Sequence, residues 1–302
     1  MTAVPWDVVA GFCLDLAVGD PRCIPHPVRG FGWLAVRFER LWRRTGLPLR
    51  AAGVLFLLAC LGSALLIVWL TLPWANIYWI WALLAVRDLD VQSVRVVRAL
   101  ERSGLPAARA QLAMIVGRDT QDLDEPEILR AAIETVSENL SDGVVAPLFY
   151  LAIAGPLGMA AYKAINTLDS MVGYRNERYK EFGWASARMD DVANFLPARL
   201  TAALIWLCAV LLRNDLRRSV KVTLRDAAKQ PSPNSGYPEA AMAGALGIRL
   251  GGLNHYAGVP SRMEYLGDAI RPLTRDAFAD TRRMLYAVSI LMAAIVIGVL
   301  AW

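Results

Sequence analysis

Residues 51–72 read AAGVLFLLACLGSALLIVWLTL, an apolar run that contains no charged side chain. A helix needs roughly 20 apolar residues to cross the hydrocarbon core of a bilayer. The run therefore predicts a membrane-spanning helix. A second uncharged run covers residues 285–302 and follows Arg282 and Arg283, which suits a span with its basic flank at one interface.

Three shorter apolar runs, residues 74–86, 144–165 and 197–212, are predicted to cross as well. The second contains the sequence GPLG at 155–158, which interrupts a helix because proline lacks an amide donor and glycine adds flexibility. A kinked span and a re-entrant hairpin both fit this run, since broken backbone at membrane depth is tolerated where protein or a wet cavity satisfies it. The expectation is about five transmembrane helices.

The composition places the chain among membrane proteins: 56% of its 302 residues are hydrophobic and ten are tryptophan. It predicts an all-α, polytopic integral membrane protein, with kinked or re-entrant segments and amphipathic interfacial helices in one membrane-embedded domain over residues 1–302. Residues 87–143 and 213–283 are the polar insertions between the spans. Residues 4–18 carry two aspartates, which predicts a helix packed against the others or lying at the interface.

Two stretches rich in arginine and lysine, within residues 29–50 and 213–229, flank the apolar runs. Because cytoplasmic loops carry an excess of Lys and Arg, both stretches are predicted to lie in the cytoplasm. We expect a multi-pass protein of the cell inner membrane, in contact with membrane lipids and not with nucleic acid. Its net charge of +5 is explained by topology and headgroup contact. The first residues lack the basic stretch of a secretory signal, so the first helix is expected to stay.

Candidate chemistry begins with the segment ETVSENLSDG at residues 134–143. Glu134, Glu138 and Asp142 are spaced four apart, so on a helix they would share one face. Such a stripe can bind a divalent cation or steer an amine. A solvated helix face paired with arginines explains the same spacing, and the spacing alone favours neither interpretation.

A proline-fixed turn brings Asp20, His26 and Arg29 into a short stretch of chain. A stiff polar turn beside a membrane helix indicates a site. A lone histidine in a proline-rich turn more often makes a structural hydrogen bond than it acts as a base or a ligand, so both interpretations stay open.

Another polar stretch follows the interrupted apolar run. Asn166 and Asp169 fall near one helical face, Tyr174 and Arg175 lie at its end, and Asp190 follows. Oxygen ligands and cations at this density suit a magnesium–phosphate complex, because hard cations take carboxylates and arginine grips phosphate. A polar network between helices is the alternative for any single member.

The segment QPSPNSGYPEAAMAGALG, residues 230–247, predicts a loop that contains Asn234, Ser235 and Gly236 and leads into a helix, with Pro238 in the first helical turn. Backbone amides at a helix start can bind an anion, although most helix starts are simply capped. The sequence has neither GxxxxGK[ST] nor GxGxxG, so a nucleotide would be held without a P-loop or a Rossmann fingerprint.

In this order, and over nearly the whole chain, five segments resemble the CobD/CbiB family: LDLAVGDP (14–21), HPVRGFGWL (26–34), ETVSENLSDGVVAPLFY (134–150), KAINTLDSMVGYRNERYKEFGWASARMDDVANFLPARL (163–200) and SPNSGYPEAAMAGALGIRLGG (232–252). That family comprises the integral-membrane adenosylcobinamide-phosphate synthases of cobalamin biosynthesis. The length and order of the segments make the resemblance more specific than any single motif.

The resemblance implies an ATP-dependent amide ligase. It would join aminopropanol phosphate, or ethanolamine phosphate, to the propionate carboxylate of adenosylcobyric acid, giving adenosylcobinamide phosphate. A carboxylate resists an amine until one oxygen becomes a leaving group, so ATP would supply an acyl phosphate and Mg²⁺ would neutralise the phosphates. ATP and Mg²⁺ are therefore the expected co-substrate and activating ion, and a corrinoid is the expected substrate. An Asp, a Glu or His26 would take the proton of the incoming ammonium.

The residues quoted above become site candidates on this interpretation. The catalytic candidates are His26, Glu134, Glu138 and Asp169. The candidates for binding substrate or phosphate are Arg29, Asn139, Asn166, Tyr174, Arg175, Asn234, Ser235 and Gly236. The candidates for binding metal are Asp20, Glu138, Asp142, Asp169 and Asp190. We expect His26, Asp169, Arg175 and Asn234 to converge on one cavity, which opens to the cytoplasm where ATP and the corrinoid are found.

An alternative class is open: the superfamily also contains AmpE-like membrane proteins, regarded as sensors or signalling modulators without a known reaction. A substrate-translocating protein is a third, remoter interpretation. The full set of motifs from residues 19–30 to 232–252 favours the enzyme, because a sensor would not need them together. A homo-oligomer, or a complex with other enzymes of cobalamin synthesis, is a further expectation.

Overall fold

The computed structural model describes residues 4–21, 26–174 and 176–302, apart from the side chain of Pro73. These residues are mostly helical. The α-helices are α1 Pro5–Val18, α2 Pro27–Arg43, α3 Leu49–Ala82, α4 Val86–Leu112, α5 Glu125–Leu140, α6 Ala146–Val172, α7 Trp184–Ala193, α8 Phe195–Leu211, α9 Leu216–Asp226, α10 Gly236–Leu246 and α11 Arg275–Ala301. A π-helical turn, Ser141–Val145, joins α5 to α6, and a 3-10 turn, Ala227–Lys229, follows α9.

The predicted all-α class needs a correction, because the polar insertion at 213–283 contains two antiparallel strands. They are β1 Leu250–Tyr256 and β2 Val259–Leu266, and Tyr256 pairs with Val259. The two residues between the strands, Ala257 and Gly258, both have positive φ. This conformation suits a tight hairpin, because its twist matches that of the flanking strands.

The chain folds into two compact units, each assembled from separate segments. The first unit combines the residues up to Ala85, Asp142–Pro197 and Ala293–Trp302, and the second combines Val86–Ser141 and Ala198–Met292. The single membrane-embedded domain predicted over residues 1–302 stays a prediction.

In the described part of the chain, three helical segments are long and apolar enough to cross a membrane: Leu49–Leu72, Glu125–Val172 and Arg275–Ala301. A fourth is added if α7 and α8, which are bent by about 40°, form one span. The two clear spans of the sequence are thereby confirmed as apolar helices of sufficient length. The expected count of about five transmembrane helices is not confirmed.

The predicted span at residues 74–86 is corrected, because α3 turns at Ala75. Ala75 has non-helical torsion angles (φ −130°, ψ 21°). The indole Nε1 of Trp79 donates to Thr71 Oγ1 at 2.9 Å, whereas residues eight apart in a straight helix are separated by about 12 Å. The remainder of α3 is also too short to cross alone, since a span needs about 20 residues.

The interrupted run at 144–165 folds back on itself within α6. Gly155 has φ 63° and precedes Pro156, so regular helix ends there. The rings of Tyr150 and Tyr162 stack with centroids 5.3 Å apart, although twelve residues of straight helix would separate them by about 18 Å. A Cβ on Gly158 would lie 2.6 Å from the carbonyl oxygen of Tyr150, so only glycine fits between the two halves. Of the two predicted alternatives, the structure forms the helical hairpin.

Helix α1 packs on α3, as predicted for an N-terminal helix buried against the others. Val8 and Phe12 are buried. A Cβ on Gly11 would lie 2.6 Å from Ile80 Cγ2, so glycine permits the close approach of these helices.

The polar insertion at 87–143 begins with an amphipathic helix, α4. Val96 and Leu100 are buried in a cluster with residues of α5, whereas Arg98 is exposed. The helix breaks at Gly104, which has φ 79°. Helix α5 then begins with a capping box in which Asp124 and Glu127 bond reciprocally to each other's backbone amides, so helix capping accounts for these two acids.

The β-hairpin is tied to α9 by the buried carboxylate of Asp226. Arg225 and Lys229 donate to it at 2.7 and 2.6 Å, and the amide of Gly267 donates at 2.9 Å. Burial raises the pKa of Asp226, but these hydrogen bonds outweigh burial and hold the pKa at about 2. Helix α10 packs on α9, where Ser219 Oγ donates to the carbonyl oxygen of Ala241 at 2.7 Å. These contacts position α10 and β1 for the site described next.

Candidate functional site

The second unit contains a polar cavity of about 350 Å³, here called the second-unit cavity. It is lined by side chains from α5, from the loop before α10, from α10 and from the β-hairpin. The polar lining residues are Arg118, Glu134, Thr135, Glu138, Asn139, Gln230, Ser232, Ser235, Glu239, Asn254 and Tyr256. The cavity therefore gathers Glu134, Glu138, Asn139 and Ser235, four of the residues that the sequence singles out.

Glu134 is the structural centre of the cavity wall. Its carboxylate accepts from Arg118 at 2.6 Å and from the amide of Gly251 at 2.7 Å, and Arg130 lies 3.5 Å away. Both arginines also donate to Asn254 Oδ1. These bonds fasten α5 to β1. They give Glu134, which is predicted to be catalytic, the geometry of a residue that holds the wall in place.

Glu138 and Asn139 lie one turn further along α5 and are exposed. Asn139 Nδ2 donates to the carbonyl oxygen of Thr135 at 2.9 Å. Glu138 lines the cavity on the same helical side as Glu134. The predicted shared face of these two acids is therefore confirmed.

Glu239 is a third acid of the cavity, and the sequence did not single it out. It lies in the first turn of α10 and is only 7% exposed. Gln230 donates to its Oε2 at 3.3 Å. Burial raises the pKa of Glu239 well above its usual value, Glu138 and Glu134 raise it further, and Arg118 and Gln230 lower it. A single acid in the otherwise apolar run YPEAAMAGAL was the signal that could have identified it.

The loop before α10 is ordered by Ser232 and Arg199. Ser232 Oγ accepts the backbone amides of Asn234 and Ser235 at 3.2 and 3.3 Å. Asn234 is buried, and Arg199 donates to its Oδ1 at 3.4 Å while lying over the Tyr237 ring at 4.1 Å. A Cβ on Gly236 would lie 2.1 Å from the carbonyl oxygen of Ala227, so glycine is required there. Anion binding by this loop stays a prediction.

The first unit contains a separate group of polar side chains, called the first-unit cluster: Asp142, Tyr162, Asn166, Asp190 and Asn194. Asn166 Nδ2 lies 3.4 Å from both Asp142 Oδ2 and Asp190 Oδ1. Asn194 Nδ2 donates to Asp190 Oδ2 at 3.0 Å, and Tyr162 Oη donates to Asn194 Oδ1 at 2.8 Å. Asp142 thus belongs to the first unit and shares its surroundings with Asn166 and Asp190, both predicted site residues.

Lys163 belongs to the same surroundings, although the sequence did not single it out. Its Nζ lies 3.3 Å from the carbonyl oxygen of Asp142. It is also within electrostatic reach of the Asp20 and Asp190 carboxylates. His26 Nε2 lies 3.2 Å from Asp20 Oδ2, so the predicted proximity of this histidine and acid is confirmed. Arg29 lies in the first turn of α2 and is exposed.

The remaining predicted residues lie at and beyond the end of α6. The carboxylate of Asp169 lies against Gly173, where a Cβ would approach its Oδ1 to 1.9 Å. Tyr174 is 58% exposed and, with Arg50, Tyr179, Trp184 and Arg188, lines a second cavity of about 360 Å³ in the first unit. Arg175 lies outside the described residues, so its predicted phosphate contact stays a prediction, as does the convergence of His26, Asp169, Arg175 and Asn234.

Comparison with known proteins identifies the family of the chain that contains these two polar regions. The model of the family described as CobD/Cbib protein matches residues 8–286. The chain belongs to the CobD/CbiB family. It is 46% identical to the cobalamin biosynthesis protein CobD of Pelobacter propionicus, over 96% of this chain and 94% of that one. The cobalamin biosynthesis protein CobD of Geobacter metallireducens is 46% identical over 99% of both chains, and that of Klebsiella pneumoniae is 44% identical over 100% and 98%. No solved structure matches.

For this CobD/CbiB chain, the described residues contain no group of three or more His, Cys, Asp or Glu side chains that could hold a metal ion. Mg²⁺ does not need such a group, because it is usually bound by one or two carboxylates together with substrate phosphates. Asp142 and Asp190, which share the Asn166 amide, offer such a pair. This donor set is of the kind that Mg²⁺ prefers, and the metal-binding roles of all five candidates stay predictions: Asp20, Glu138, Asp142, Asp169 and Asp190.

Proposed function

We propose that this protein is an ATP-dependent amide ligase of cobalamin biosynthesis. It joins aminopropanol phosphate, or ethanolamine phosphate, to the propionate carboxylate of adenosylcobyric acid and so forms adenosylcobinamide phosphate. Family membership over residues 8–286 supports a role in cobalamin biosynthesis. The apolar helices Leu49–Leu72 and Arg275–Ala301 support a location in the cell inner membrane.

The observation that carries the proposal is the second-unit cavity, where the buried carboxylates of Glu134 and Glu239 and the guanidinium of Arg118 line one space. An amide ligase handles an ammonium, a carboxylate and phosphates, so it needs groups of both signs in a site that excludes water. The cavity volume of about 350 Å³ is at the small end of the range for ligand pockets. It suits a phosphorylated aminoalcohol or part of a nucleotide, and the larger corrinoid would approach from outside.

Two groups of residues divide the binding work in this proposal. Asp142 and Asp190 would hold Mg²⁺, which neutralises phosphate charge when bound. Glu138, Asn139 and Ser235 contact substrate in the second-unit cavity. Glu134 orients the cavity wall through Arg118 and the amide of Gly251. In the first unit, His26, paired with Asp20, stays a candidate base.

The test is turnover by the purified full-length protein in detergent. Adenosylcobyric acid, ATP and Mg²⁺ are supplied with aminopropanol phosphate or with ethanolamine phosphate, and the corrinoid product is identified by mass spectrometry. We expect a product whose mass has increased by the amine minus one water, and only when all components are present. No such product with either amine, under conditions where the protein stays folded, would contradict the proposal and favour an AmpE-like signalling role.

A further inference from the structure

The second-unit cavity has an acid, Glu239, that differs from Glu134 in how its charge is compensated. Glu134 is bound by Arg118, Arg130 and a backbone amide. Glu239 receives its hydrogen bond from the neutral amide of Gln230, and among the described residues no cation forms an ion pair with it. Glu138 lines the same cavity close enough to raise the pKa of Glu239 electrostatically.

This arrangement has an electrostatic consequence. A carboxylate removed from water is costly unless a cation or several hydrogen bonds compensate its charge. Glu239 is 93% buried, as its 7% exposure shows, and has a second carboxylate nearby. A ligand cation placed between Glu239 and Glu138 would be attracted by both acids and would relieve their mutual repulsion.

The remainder of the lining indicates which cation fits. Ser232 and Ser235 place hydroxyl groups on the same cavity, at the start of α10. Helix starts favour negative charge, because the helix dipole is positive there. The cavity therefore has an acidic part for an ammonium and a hydroxyl-lined part for a phosphate. A zwitterion with both groups matches it better than a bare metal ion does.

We propose that Glu239, together with Glu138, binds the ammonium group of the aminoalcohol phosphate substrate in the second-unit cavity. This assignment rests on the proposed function, since it names the site of one of the substrates. Glu239 acts here as a binding residue that holds the amine, and it is assigned no part in activating the corrinoid carboxylate.

The experiment measures binding without turnover. Ethanolamine phosphate is titrated into the purified full-length protein in detergent, in the absence of ATP and corrinoid, and the heat of binding is recorded. Ethyl phosphate, which lacks the ammonium, and MgCl₂ alone serve as parallel probes. The variants are Glu239→Gln and Glu138→Gln, with Glu264→Gln as matched control, because Glu264 is exposed on β2 beside the cavity residue Met263 but does not line the cavity.

We expect Glu239→Gln to weaken ethanolamine phosphate binding at least about tenfold, because a charge-assisted bond is lost in a buried site. Glu138→Gln should weaken it less, since Glu138 is exposed. The affinity for ethyl phosphate should be the same in wild type and in both cavity variants. The Glu264→Gln variant should bind ethanolamine phosphate as tightly as wild type does. If Glu239→Gln fails to fold, Glu138→Gln still decides the question, because an exposed position tolerates the substitution.

Three results would overturn the assignment. Ethanolamine phosphate could bind both variants as tightly as wild type, it could bind no tighter than ethyl phosphate, or MgCl₂ alone could bind in a Glu239-dependent way without competition from ethanolamine phosphate. Turnover separates this failure from that of the proposed function. Amide formation with unaltered binding in both variants refutes the ammonium site alone, whereas Glu239-dependent binding without amide formation refutes the ligase and leaves the site.

Discussion

The second-unit cavity and the first-unit cluster both concentrate acids, but they hold them differently. In the cavity, Glu134 is clamped by guanidinium groups and an amide, with its shortest contact at 2.6 Å. In the cluster, Asp142 and Asp190 share the neutral Asn166 amide at 3.4 Å, and Asn194 donates to Asp190 at 3.0 Å. The described contacts give Glu134 the geometry of a structural residue held by guanidinium groups, whereas Asp142 and Asp190 are joined through side-chain amides. Binding of substrate or metal by Asp142 and Asp190 stays a prediction.

The largest loss of stability is expected from breaking the Glu134 clamp, the contacts of Glu134 with Arg118 and Arg130. Arg130 is buried and contacts Glu134, Asn254 and the backbone of β1. Arg130→Met removes one guanidinium from the surroundings of Glu134 and leaves the buried carbonyl oxygen of Gly251 without its donor, so it should lower the free energy of unfolding by about 3 kcal/mol. Thermal unfolding in detergent, followed by circular dichroism, measures the loss.

The matched control for the clamp is Arg283→Met. Arg283 pairs with Asp280 at 2.9 Å, but its side chain is 71% exposed. Exposed pairs contribute about 0–1 kcal/mol. Equal melting temperatures for the two variants would contradict the structural role of the clamp.

Asp226 is a second buried acid held by cations and a backbone amide, and its pKa makes its contribution to stability depend on pH. Its pKa is lowered from 3.8 to about 2, so its stabilising contribution is complete above about pH 4 and is lost as the pH falls through 2. The contribution is roughly 2 kcal/mol, since each pKa unit corresponds to about 1.4 kcal/mol. We expect Asp226→Asn to be less stable than wild type at neutral pH, with the difference vanishing toward pH 2. A difference that stays constant over this window would show that Asp226 acts only through packing.

A smaller loss of stability is expected in the first-unit cluster. Asn166→Ala removes the amide between Asp142 and Asp190, whose hydrogen bonds are long at 3.4 Å. The free energy of unfolding should fall by only about 1 kcal/mol, while turnover and its dependence on Mg²⁺ change strongly. Ser170→Ala, on the exposed side of the same helix, is the control. Parallel losses of stability and activity would contradict a ligand-binding role for the cluster.

The smallest change in stability is expected at Arg188, which lines the first-unit cavity of about 360 Å³ together with Tyr174. Arg188 is 69% exposed and lies 3.5 Å from Asp191. Arg188→Gln should change the free energy of unfolding by less than about 0.5 kcal/mol, because exposed pairs are weak and well solvated. If Arg188→Gln lowered the free energy of unfolding as much as Asn166→Ala does, surface charge would stabilise the first unit as much as the amide of Asn166 does.

The sequence predicts the elements whose signal is local. The uncharged run at 51–72, the capping box at Asp124 and the break at Gly104 follow from hydrophobic pattern, cap chemistry and glycine, and all three are present. The turn of α3 at Ala75 was missed, because the apolar pattern continues through it and long-range packing decides the bend. The hairpin was missed as well, since its pairing joins residues in a stretch of mixed polarity.

The candidate site was only partly predictable for a related reason. Spacing placed Glu134 and Glu138 on one face, but it carried no information about Arg118 and Asn254, which come from distant segments and compensate Glu134. Asp142 was assigned to the same stripe by spacing. It instead lies in the π-helical turn Ser141–Val145, where its partner Asn166 is supplied by the returning half of α6.

In the proposed reaction, an oxygen of the corrinoid carboxylate is transferred to phosphate when the amide forms. Adenosylcobyric acid labelled with heavy oxygen in its propionate carboxylate is incubated with the protein, ATP, Mg²⁺ and aminopropanol phosphate, and the released phosphate is analysed by mass spectrometry. We expect one labelled oxygen in the phosphate for each amide formed, since ATP activates the carboxylate. Amide formed with unlabelled phosphate, or formed in the absence of ATP, would contradict it.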